Sequence, residues 1–91
     1  MDERELAVRA YALPGRFAGR LDPADLAVVR EYAQVGEWGE EIDLLLACLR
    51  LACLPVTAAE RAELVVLLQA MGLPIEPAEG LRGDGTEGGA G

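Results

Sequence analysis

The sequence predicts an all-α fold: a small three- to four-helix bundle over residues 1–74, followed by a disordered, glycine-rich acidic tail over residues 75–91. Three observations carry this reading. Hydrophobic residues make up 52% of the chain but aromatics only 4%, and the aliphatic content is Leu, Ala and Val, a palette of bundles more than of sandwiches. Apolar residues recur at i, i+3, i+4 and i+7, whereas the strict alternation of half-buried strands is missing. Pro, Gly and capping residues punctuate the chain where helices should start and stop. Its 91 residues make one small domain at most, burying roughly 60–65% of the surface that the unfolded chain exposes.

The first helix is expected over residues 2–13. Asp2, Glu3 and Glu5 suit the positive end of its dipole, Leu6, Ala10 and Leu13 form its apolar face, and Pro14-Gly15 should end it. The second should start with Asp22 as N-cap, Pro23 at the first helical position and Leu21 and Leu26 spaced as a hydrophobic staple. It should run to about Val35, with Gly36 as a left-handed stop. The third is expected from near Glu37 to about Leu54, where Pro55 closes it. From Leu44 to Leu54 its sole polar residue is Arg50, so the helix should lie at the centre of the bundle. Thr57-Ala58-Ala59-Glu60 has the form of a capping box before Leu64, Leu67, Leu68 and Met71, and Gly72 and Pro74 mark the end of this fourth helix. Beyond it only Ile75 and Leu81 offer apolar side chains to touch the body.

Charge and residue usage exclude several function classes. The formal net charge is −8, from 16 acidic and 8 basic residues without a single histidine, which argues against nucleic acid and permits a basic protein partner. Lacking histidine, the chain has neither the commonest general base nor enough ligands for structural zinc, so no metal and no cofactor is expected. Cys48 and Cys53 would point about 140° apart on one helix, so both are read as reduced thiols, in keeping with a cytoplasmic protein. The longest apolar run, residues 44–56, is interrupted by Arg50 and too short to span a bilayer. Paired carboxylates are the only catalytic raw material, and a leucine-filled bundle of this size leaves little room for a catalytic pocket, so no enzymatic activity is expected.

The stretch VGEWGEEIDLLL sets the only tryptophan among four carboxylates. On a helical wheel Trp38 shares a face with Ile42, Leu45, Leu49 and Cys53, while Glu37, Glu40 and Glu41 gather on another side, which Leu44, Cys48 and Leu51 continue. Trp38 reads as a residue closing the turn between the second and third helices onto the core, or as an interface anchor. The carboxylates read as compensation of the helix dipole, or as a surface that recognises a basic patch. The candidate partner-binding residues are therefore Glu37, Trp38, Glu40, Glu41 and Asp43. Tyr11, Phe17 and Tyr32 read as packing residues, and Arg50 as reaching solvent or pairing with Asp43.

The order of features in EYAQVGEWGEEIDLLLACL, a short turn and PVTAAERAELVVLLQAMGLP resembles the MafI-type immunity proteins of bacterial polymorphic toxin systems. These are small helical proteins with a Gly-Glu-Trp-Gly turn, a second turn of Pro-Val/Ile-Thr/Ser and a Met-Gly-Leu ending. The overlap covers about residues 25–74. The resemblance implies a cytoplasmic antitoxin that binds and neutralises the toxic C-terminal domain of a cognate effector, and the chain is expected to be a monomer or weak homodimer. Where the family continues after the turn with Ala or Leu, this chain has Glu40-Glu41-Ile42-Asp43, which marks a partner-specific surface. The other reading of the residues is a self-associating helical adaptor or secretion accessory protein, in which the stripe Leu44, Cys48, Leu51 is covered by a second copy.

Overall fold

The computed structural model of the protein describes residues 1–84; residues 85–91, with that part of the expected tail, lie outside the described residues. Among the described residues the fold is all-α, as the sequence predicts, with four long helices and one short one. Helix α1 (Glu3–Arg16) starts at Asp2, whose carboxylate accepts the Glu5 N–H at 2.8 Å. It runs through Pro14 instead of stopping there. A proline in the last turn forfeits one intrahelical hydrogen bond, but Pro14 and Phe17 are both buried, and packing carries the chain on for two more residues. Helix α2 (Pro23–Gln34) is capped by Asp22, which accepts the Ala24 N–H at 2.9 Å, and the expected staple pair Leu21 and Leu26 is buried.

One C-terminal geometry ends three of the helices. After α2, Gly36 adopts φ +76° and donates to the Ala33 carbonyl at 3.2 Å, while the Glu37 N–H reaches the Tyr32 carbonyl at 3.0 Å, a Schellman motif. After α4 (Ala58–Ala70), Gly72 at φ +71° and the bond from the Leu73 N–H to the Leu68 carbonyl, 2.9 Å, repeat it. Helix α3 (Trp38–Leu51) ends the same way three residues before Leu54, but Cys53 fills the left-handed position at φ +51°. Its N–H donates to Arg50, and the Leu54 N–H to Leu49. At the start of α4 the capping box forms in both directions: the Glu60 N–H donates to Thr57 Oγ1 at 3.0 Å and the Thr57 N–H to Glu60 Oε1 at 2.8 Å.

Helices α1, α2 and α3 pack on one another, and α4 lies against α1. Leu13, Phe17, Val29, Ile42, Leu45, Leu49, Leu64 and Leu67 form the fully buried core. Burial of each large aliphatic side chain contributes about 1.5–3 kcal/mol. Helix α3 packs on α1 and α2 but is more open than a helix apolar on nearly every side is expected to be: Leu51 is 79% exposed, and Glu40, Asp43 and Arg50 share its solvent side. A domain this small has too few neighbours to surround one helix completely.

The body also extends beyond residue 74. A short helix, α5 (Glu76–Glu79), packs on α4, with Ala78 and Leu81 buried. Val56 and Gly83 form an isolated parallel bridge, with the Val56 N–H on the Arg82 carbonyl at 2.9 Å and the Asp84 N–H on the Val56 carbonyl at 3.1 Å. Arg61 donates to the carbonyls of Ala78 and Glu79 at 3.1 and 2.8 Å. Composition suggested a tail from residue 75; apolar residues three apart at Ile75, Ala78 and Leu81, together with these backbone bonds, anchor residues 75–84 to the body instead.

Two arginines pair with carboxylates of distant segments. Arg20, in the loop between α1 and α2, lies over the Phe17 ring at 4.8 Å and makes a two-pronged pair with Glu60 at 2.8 and 2.5 Å. It also donates to the carbonyls of Pro55 and Arg16. The guanidinium holds the Glu60 carboxyl below the ordinary carboxylate value. Arg9 of α1 binds Glu63 of α4, with its Nε 2.9 Å from Oε2, and lowers that carboxyl too.

Candidate functional site

The Gly36 turn sets up the candidate site. Only a residue without a Cβ enters the left-handed region freely, and here the chain reverses so that the Trp38 indole settles over Gly36, whose added Cβ would lie 3.7 Å from Cζ2. Trp38 is half-buried, and among the described residues its indole N–H has no hydrogen-bond partner. Its neighbours are Ala7, Val8, Tyr11 and Ala12 of α1, which with it line a shallow apolar trough. Tyr11 and Ala12 also border a second trough, floored by Pro14 and Ala33 and edged by Arg30 and Gln34.

Tyr11 is the aromatic that the sequence reading misplaced. Phe17 is fully buried and Tyr32 half-buried, as packing residues should be, but Tyr11 is 59% exposed and Val8 63%. The signal was present on the wheel of α1. Arg4, Val8 and Tyr11 follow at i, i+4 and i+7, directly opposite the core stripe Leu6, Ala10, Leu13 and Phe17.

The five candidate partner-binding residues do not form one surface. Glu37 and Glu40 are exposed at the start of α3 and make no ion pair among the described residues. Asp43 is exposed as well, but it lies on a different side from Trp38, beside a small groove with Leu46, Leu68, Leu73, Pro74 and Pro77. Of the two readings of Arg50, the structure has the one that reaches solvent: Arg50 is exposed and makes no ion pair with Asp43 among the described residues. Glu41 departs furthest from expectation. Placed by the wheel among the surface acids, it is 0% exposed, with neither carboxylate oxygen hydrogen bonded. The wheel puts Glu41 only about 60° from Trp38, at the edge of the buried arc, so burial of that arc takes Glu41 with it. Removal from water pushes its carboxyl up to about 8, because burial without a compensating charge or donor disfavours the ionised form.

The two thiols are separate. Cys53 is exposed at the end of α3, while Cys48 is half-buried, and burial followed by the neighbouring Asp25 carboxylate pushes its thiol up. The stripe Leu44, Cys48, Leu51 is not an open apolar face, since only Leu51 is exposed. No helix of the described residues is long and apolar enough to cross a membrane.

No family model, curated protein or solved structure matches this chain. The site is thus defined by its geometry: an uncapped helix start carrying two unpaired surface carboxylates, a half-open indole beside an apolar trough, and one buried acid beneath them.

Proposed function

We propose that this chain is a binding module, an immunity protein that neutralises the toxic C-terminal domain of a cognate bacterial polymorphic toxin. It acts by occupancy in the cytoplasm, as a monomer or weak homodimer, without chemistry or cofactor of its own. The observation that carries the reading is the set of exposed acids on α3, Glu37, Glu40 and Asp43, which have no ion pair among the described residues in a chain of net charge −8. Carboxylates left unneutralised at the surface steer and orient a basic partner. The resemblance of residues 25–74 to MafI-type immunity proteins supplies the biological role, and a basic toxin domain supplies the complementary charge. Trp38 and Tyr11, half-open beside one apolar trough, are the side chains suited to anchor such an interface.

The test is charge reversal at Glu37 and Glu40. Binding of the toxin domain should weaken and lose its salt dependence in the folded double variant, since exposed charges are screened within about 8 Å at physiological ionic strength. Equal affinity and equal salt dependence of wild type and variant would refute recognition through these acids.

A further inference from the structure

The first turn of α3 combines three features found together nowhere else among the described residues. It begins without a side-chain cap, whereas α1, α2 and α4 are capped by Asp2, Asp22 and Thr57. It follows directly on the exposed Gly36 turn. It also carries a fully buried carboxyl group, Glu41, with neither oxygen partnered. An uncapped turn leaves backbone N–H groups without intrahelical partners and frays readily. A buried carboxyl can remain there as the neutral acid, but the ionised group needs water or a donor that the site does not supply.

We propose that Glu41 makes the start of α3 a proton-gated latch: with Glu41 protonated, the turn and Trp38 are docked on the body, and ionisation of Glu41 releases the turn and brings this third carboxylate out beside Glu37 and Glu40. The release is local, a low-energy opening of one helix end with the core of Ile42, Leu45 and Leu49 intact. It regulates the acidic surface of the proposed function and rests on that reading only for its biological meaning. In the released form the negative surface grows by one charge and the indole gains solvent.

Burial alone acts on the Glu41 carboxyl, with no charged group or donor upon it, which leaves Glu41 as the controlling group. On its own helix Glu37 is exposed one turn before it, and Cys48 lies two turns beyond. From α2, Asp25 faces Cys48, and Tyr32 stands where the turn begins. From α1, Tyr11 lines the trough beside Trp38. None of these groups and no arginine donates to Glu41, and desolvation alone accounts for its displaced carboxyl.

Trp38, the chain's only tryptophan, reports on the same helical turn. Acrylamide quenching of its fluorescence is to be followed as pH is raised through the range around the Glu41 value of about 8, on the full chain without any partner, with far-UV circular dichroism recorded in parallel. Wild type should show a reversible one-proton rise in quenching while the helical signal stays constant, and Glu41→Gln and Glu41→Leu should stay flat. The latch is overturned if wild type is flat, if the variants titrate in the same way through Tyr11 or a thiol, or if the helical signal is lost along the same curve. Because no partner is present, this outcome is independent of the charge-reversal result at Glu37 and Glu40.

Discussion

Replacing Glu41 by leucine should stabilise the protein, by an amount that grows with pH. The carboxyl stands at about 8 in the folded chain against an ordinary value of 4.5. Between those values the folded state holds a proton that the unfolded state has released, so stability falls as pH rises, by up to about 1.4 kcal/mol per pH unit. Below the ordinary value both states are protonated, and above the folded value both are ionised, so the slope vanishes outside this window. Integration up to about pH 7 gives a cost of roughly 3 kcal/mol, against just under about 1 kcal/mol near pH 5. Leucine, close in volume and without a polar group to leave unpaired, removes that cost. Urea titrations of both proteins at several pH values give the test: the difference in unfolding free energy, read from the midpoints at unchanged m, should widen by roughly 2 kcal/mol between about pH 5 and pH 7. A difference that does not depend on pH, or a destabilised Glu41→Leu protein, would refute the assignment of a strained, neutral Glu41.

Three further expectations concern the scaffold. Cys53→Gly should stabilise by about 1 kcal/mol in thermal or urea unfolding, because it relieves a non-glycine residue at φ +51° whose side chain is exposed. Arg20→Met should cost about 2 kcal/mol near neutrality by leaving Glu60 without its guanidinium. That deficit should shrink in acid: the folded Glu60 carboxyl is depressed, so its contribution is complete above the ordinary 4.5 and lost as pH falls through the lower folded value. Truncation after Pro74 should destabilise by about 2–3 kcal/mol or more, since it removes buried Leu81 and Ala78 and the bridge to Val56.

What could be read from the sequence was whatever a local rule encodes. The Asp22-Pro23 start, the Thr57–Glu60 box and the Gly36 and Gly72 stops all stand where the residues put them, because each is decided by chemistry within a few positions. The departures come from packing. Pro14 stays helical because Phe17 behind it is buried, and Cys53 takes a position that glycine would announce, because Leu49 and Leu54 close the turn around it. Residues 75–84 looked like a tail by composition and are held by contacts that their own stretch does not display, from Arg61 and Val56. At the site, the wheel sets Trp38 apart from Glu37, Glu40 and Glu41, and the structure leaves Glu37 and Glu40 exposed while Trp38 is half-buried. It could not tell where the buried arc ends, and this placed Glu41 outside when it is inside. Tyr11 was missed because its role depends on Trp38, 27 positions later, meeting the outer side of α1.

The central claim, that this chain protects by binding through the acidic start of α3, is tested most directly by survival. Cells producing the C-terminal toxic domain of the proposed cognate effector should grow when they also produce the wild-type protein, and should die with a folded Glu37→Arg, Glu40→Arg variant. Equal protection by both proteins, or no protection by the wild type when it is present in excess over the domain, would contradict the account.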